Sequence, residues 1–105
     1  MNVILAEGND VVRLGLKSIV STIPYVKIVG EARDNEEFLS LVNSLKPDVV
    51  VIDYTSLGFN IDVVPRAISK SYDTKYLAIT PEQSASTLIH ALKSGIFSYV
   101  KKDCS

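Results

Sequence analysis

Lys46-Pro47-Asp48-Val49-Val50-Val51-Ile52-Asp53 is the stretch on which the fold turns. Its four successive apolar residues, rich in β-branching and bounded by Lys46-Pro47-Asp48 and Gly58, read as a strand buried on both faces. Asp53 follows directly and therefore ends the strand. In open parallel α/β sheets the carboxyl edge is where ligands bind. A carboxylate there is poorly placed for packing and well placed for chemistry.

Strand-like and helix-like patterns alternate on either side of this run. Val3 to Ala6 is a short apolar strand. Asp10 is placed to cap a helix with Val12, Leu16, Ile19, Val20 and Ile23 at helical spacing, ended by Pro24. Val26 to Ala32 reads as a second strand. Asp34 with Glu37 resembles a capping box that opens a helix with Phe38, Leu41, Val42 and Leu45 on one face. Beyond Asp53, Tyr54 to Asn60 is a loop and Asp62 to Ser71 a weaker helix with Pro65 in its first turn. Tyr76 to Ile79 is a fourth strand, and Ser84 to Ser94 a helix closed by Gly95. Tyr99-Val100 forms a fifth short strand. The repeated β-α order predicts a parallel sheet with helices on both faces. Five strands but only four helices are legible, so the final helix of the winding is expected to be missing from this chain. A truncated piece, a tail or an element from another chain would each account for that.

Bulk properties narrow the function. The 105 residues suit one domain, 1–105, and 47% hydrophobic content makes it globular. A net charge of -1 gives no reason to expect nucleic acid or an anionic membrane on this domain. The lone Cys104 excludes an internal disulfide and suits a free thiol in a cytoplasmic protein. His90 and Cys104 are too few for a zinc site. No apolar run approaches the roughly 18 residues that span a bilayer. Met1-Asn2-Val3-Ile4-Leu5 enters a strand without a basic leader, so no signal peptide is expected.

The polar residues at the strand ends carry the chemistry. The first strand delivers Glu7, the third Asp53, the fourth Thr80, and the fifth is followed by Lys101 and Lys102. Parallel strands bring these ends to one edge. Two close carboxylates repel unless a cation sits between them, and Mg²⁺ suits oxygen ligands. A lysine and a hydroxyl beside them would meet an incoming anion. The set suits a phosphoryl group on a carboxylate nucleophile. Plainer roles compete. Gly8-Asn9-Asp10 is also ordinary turn chemistry, and for Glu7 a loop role weighs as much as metal ligation. Lys101 reads as a surface residue, and Tyr72 and Tyr76 as packing.

The chain resembles the receiver domain of two-component response regulators, in the LuxR/NarL-like branch. The carriers are Val3-Ile4-Leu5-Ala6-Glu7, Val12-Arg13-Leu14-Gly15-Leu16, Gly30-Glu31-Ala32, Lys46 to Asp53, Ala91-Leu92-Lys93-Ser94-Gly95 and Tyr99-Val100-Lys101-Lys102-Asp103. The resemblance implies a flavodoxin-like, doubly wound, five-stranded parallel sheet of strand order 2-1-3-4-5. It implies Asp53 as phosphoacceptor, Thr80 as the hydroxyl that turns toward the phosphoryl group, Lys102 as its ion-pair partner and Tyr99 as the aromatic that follows Thr80. Glu7, Asp53 and the Thr55 carbonyl would hold Mg²⁺. It further implies a sensor histidine kinase as donor, a homodimer on activation, and DNA contact only through a separate output domain. On this reading the domain is not a turnover enzyme, beyond its own phosphoryl transfer and slow hydrolysis.

Three positions depart from the family pattern. Gly8 stands where a second acid is usual, which predicts weaker Mg²⁺ binding. Leu57 replaces a proline, and Pro81 follows Thr80 where a small residue is usual. Two mechanisms stay open: a conventional phospho-switch, favoured by retention of Asp53, Thr80 and Lys102, and an atypical, phosphorylation-independent interaction module. A haloacid-dehalogenase-like phosphohydrolase would need an acid at Thr55, and a dinucleotide-binding turn would need more glycine than Glu7-Gly8-Asn9-Asp10 offers.

Overall fold

Alternate side chains of β1 (Asn2–Ala6) serve two different cores. Val3 and Leu5 join Leu16, Val20 and Ile23 on one side of the sheet. Ile4 and Ala6 join Phe38 and Val42 on the other. The period-two alternation of a strand thus sets α1 (Asp10–Val20) and α2 (Asn35–Leu45) on opposite faces. The chain is seen here in a computed structural model, which describes residues 1–53, 58, 59, 66 and 73–78.

β2 (Lys27–Ala32), β3 (Val49–Ile52) and β4 (Lys75–Ala78) complete the described sheet, in the order β2-β1-β3-β4. Every pairing is parallel. This is the expected doubly wound order as far as the fourth strand. The Tyr99-Val100 strand and the helices expected at 62–71 and 84–94 lie outside the described residues, apart from Arg66. All four residues of β3 are buried, as an unbroken apolar run in a central parallel strand should be. Val49 and Val51 face the α1 core, Val50 and Ile52 the α2 core. Each such side chain contributes roughly 1.5–3 kcal/mol through removal from water. A bulge between Val3 and Ile4 leaves Val29 as an extra residue on β2, and Val29 packs onto the α2 core. Gly30 follows, where an added Cβ would meet Leu41 at 3.3 Å.

Helix α1 differs from its sequence reading in three details. The cap is Asn9, not Asp10: Asn9 Oδ1 accepts the Val12 N–H at 3.0 Å, and Asp10 becomes the acid of the first turn. An amide caps as well as a carboxylate, so the preceding asparagine takes the role expected of Asp10. Val12 is 42% exposed rather than inward, because the helix turns Leu16, Ile19 and Val20 to the sheet. Ile23 is buried, but from the turn after the helix, where its N–H reaches the Val20 carbonyl at 3.1 Å.

Helix α2 starts at the expected cap. Asp34 Oδ1 accepts the Glu37 N–H at 2.9 Å. Glu37 reaches back to the N–H of Arg33, one residue before the cap, at 2.9 Å. It also binds the Arg33 guanidinium, and that contact holds the Glu37 carboxyl below its usual range. Phe38 and Val42 are buried, whereas Leu45, in the last turn of the helix, is 43% exposed. Lys46 closes the helix in a left-handed conformation (φ 44°), its N–H on the Val42 carbonyl. Pro47 then blocks any continuation. β2 begins at Lys27 rather than Val26, whose N–H closes a turn onto Ile23. β4 begins at Lys75, one residue ahead of the expected Tyr76.

Candidate functional site

Ala6 of β1 lies opposite Ile52 of β3, so the next residue of each strand, Glu7 and Asp53, arrives at the same carboxyl edge. The ladder runs one step past both strands. The Asp53 N–H donates to the Ala6 carbonyl and the Glu7 N–H to the Ala32 carbonyl, each at 3.0 Å. Three adjacent strands therefore fix the main chain beneath the two acids. Glu7 is 1% exposed and Asp53 4%. Burial of an ionised carboxylate is costly without compensating charge or hydrogen bonds, and two on neighbouring strands favour a cation.

The turn after Glu7 is built as a closed circuit. Glu7 Oε2 accepts the Asn9 N–H at 2.9 Å. The Asn9 carbonyl accepts the Arg13 N–H at 2.9 Å. Arg13 Nη1 returns to the Glu7 carbonyl at 2.9 Å. The same guanidinium meets Asp10 at 2.7 Å and Glu31 of β2 at 3.4 Å, and Lys17 meets Glu31 at 3.3 Å. The Arg13 side chain is only 13% exposed. Its role was not drawn from the sequence. The available signal was its place four residues after Asn9 and three after Asp10, over the first strand's acid.

The chain beyond Asp53 is pinned where it passes α2. Gly58 has φ +92°, a conformation that disfavours any side chain, and its carbonyl accepts the Asn35 N–H at 2.9 Å. Phe59 then packs edge-on against Phe38, with ring centroids 6.2 Å apart. Residues 58 and 59 are thereby tied to the start of α2.

Of the site residues expected from sequence, Glu7 and Asp53 come together. Thr55, Thr80, Tyr99 and Lys102 lie outside the described residues. Among the described residues no third histidine, cysteine or acid joins the pair in a metal-holding group. Two buried carboxylates fit Mg²⁺, which binds through one or two such groups and keeps several waters. Among the described residues no helix is long and apolar enough to cross a membrane.

Comparison with known proteins agrees with this geometry. Residues 3–105 match the family described as the response regulator receiver domain. The chain is 28% identical over 102 residues to the nitrate/nitrite response regulator protein NarL of Escherichia coli K12, covering 96% of this chain and 47% of that protein. It is 31% identical over 104 residues to the DNA-binding transcriptional activator DevR/DosR of Mycobacterium tuberculosis, covering 98% of this chain and 48% of that protein. The chain thus spans about half the length of the relatives it matches. Among solved structures, the signal receiver domain of the putative response regulator NarL from Mycobacterium tuberculosis superposes with a TM-score of 0.68 at 27% identity, covering 88% of this chain and 75% of that one. The family match and these likenesses leave no room for a dehalogenase-like hydrolase or a dinucleotide-binding module. With a flavodoxin-like sheet that sets Glu7 beside Asp53 at its carboxyl edge, this chain belongs to the response regulator receiver domains, in their NarL-like branch.

Proposed function

We propose that this domain accepts a phosphoryl group on Asp53 from the phosphohistidine of a sensor kinase and relays the change to a separate output domain. One observation carries the reading: Asp53 and Glu7 stand side by side, buried, at the carboxyl edge of adjacent parallel strands. In the transfer a carboxylate oxygen of Asp53 forms the bond to phosphorus as the phosphorus–nitrogen bond breaks, and the freed imidazole takes up a proton. Mg²⁺ held by Glu7, Asp53 and the Thr55 carbonyl would neutralise charge on the transferring group. Thr80 would donate a hydrogen bond to the phosphoryl group and Lys102 would pair with it, with Tyr99 following Thr80 into its new position. The new bonds at one edge then shift the population of the domain's two states.

The same reading makes the domain a regulator, with hydrolysis of its own aspartyl phosphate as its only turnover. Its setting would be the cytoplasm. Its partners would be the kinase, a second copy on activation, and DNA through the output domain alone. A DNA-binding relative, DevR/DosR, supports that last point.

Incubation with acetyl phosphate and Mg²⁺, followed by intact mass measurement, tests the reading. One phosphoryl group is expected on the wild-type chain and none on Asp53→Asn. Gly8 in place of a second acid favours a slower reaction than is usual for the family. It also keeps a second reading alive, a receiver that works by partner binding alone. Absence of labelling, together with no thermal response to beryllofluoride, would select that second reading.

A further inference from the structure

The geometry points to Arg13 as a positioning residue that orients the Glu7 carboxylate for a divalent cation beside Asp53. This rests on the phosphoacceptor reading. Gly8 carries no side chain, so Glu7 supplies the whole acidic contribution of the turn after β1. Glycine is also the least restrained residue for that turn. The restraint comes from the circuit through Asn9 and Arg13: Glu7 Oε2 to the Asn9 N–H, the Asn9 carbonyl to the Arg13 N–H, and Arg13 Nη1 to the Glu7 carbonyl, each at 2.9 Å. Both the main chain and the carboxylate of Glu7 are therefore held by one loop of bonds. The guanidinium closes it with one nitrogen and uses the others on Asp10 and on Glu31. A planar fork can serve these partners at once, and a lysine ammonium cannot. The tie to Glu31 runs to β2, whose Ala32 carbonyl receives the Glu7 N–H. Arg13 thus braces the acid turn against the strand that already anchors it.

The measurement is the thermal midpoint of the chain as a function of Mg²⁺ concentration, without any phosphoryl donor. A ligand that binds only the folded state raises the midpoint with concentration, so its affinity separates from the metal-free stability. In Arg13→Met the apparent Mg²⁺ affinity should fall by about tenfold, the scale of one lost charged hydrogen bond. Arg13→Lys should recover part of it. Glu31→Gln, which weakens the brace and leaves the Glu7 carbonyl contact in place, should lower the metal-free midpoint more than the affinity. If Arg13→Met lowers the metal-free midpoint and leaves Mg²⁺ affinity at the wild-type value, Arg13 is structural and the inference is overturned. Should Arg13→Met not fold, wild-type affinity in Arg13→Lys overturns it equally. A wild-type chain that shows no Mg²⁺ response, or one unaltered by Asp53→Asn, removes the pocket itself and the role of Arg13 with it.

Discussion

Gly58 shows how much one backbone angle can decide. An added Cβ would stand 2.8 Å from the Arg33 carbonyl oxygen and 3.1 Å from the Asp34 Cβ, at a φ of +92°. Neither partner is a flexible side-chain end, since both belong to the turn that opens α2. Gly58→Ala should therefore cost about 1–3 kcal/mol, read as a lowered urea midpoint with an unchanged slope. The neighbouring acids illustrate the opposite case. Asp53 was marked by its own sequence context, an apolar run ending in a charge. Arg13 was not, because its partners at Glu7 and Glu31 come from two strands that sequence spacing does not relate.

Helix α2 is specified locally at both ends. Asp34 and Glu37 define its start, Lys46 and Pro47 its stop, and Phe38 and Val42 its buried face. Loss of the cap in Asp34→Ala leaves the Glu37 N–H without its side-chain acceptor. That substitution should destabilise the domain by about 1 kcal/mol in chemical denaturation. Helix α1 was less sharply readable. Asn9 and Asp10 are both good caps in adjacent positions, and only the docked helix shows that Asn9 makes the bond. Its apolar residues exceed what the sheet can cover: Val11 and Leu14 are exposed along with Val12. Periodicity finds the stripe, but the angle at which the helix meets the sheet chooses among its edges.

Across the whole molecule, the sheet divides two cores, and Tyr76 of β4 lies within the one under α2. Its ring meets Phe38 edge-on at 6.5 Å, and its hydroxyl is buried with no hydrogen-bond partner among the described residues. Burial pushes the phenol up to about 12 from an ordinary value of about 10. The folded state thus holds this proton more tightly than the unfolded chain does. The associated stability is complete below about pH 10 and is lost as pH rises from about 10 toward 12. Tyr76→Phe removes the buried hydroxyl and keeps the ring. It should leave neutral-pH stability unchanged or raise it by up to about 1 kcal/mol, and should flatten the alkaline loss seen in denaturation series across that window.

Sequence by itself determined the winding, because each element is marked by short-range physics. A β-branched run needs two covered faces, a period of 3.6 needs one, and Asp34 and Pro47 mark where α2 starts and stops. The order of the described strands, which puts Asp53 beside Glu7, was implied by the family resemblance, and the pairing of β1 with β3 agrees with it. Tertiary structure alone decided what depends on contacts between distant segments. It set the circuit of Glu7, Asn9 and Arg13, the brace to Glu31, the tie of Gly58 to α2, and the buried hydroxyl of Tyr76. Hydrogen bonds and close approaches of this kind depend on ångström-level separations, and such separations exist only after the cores have packed.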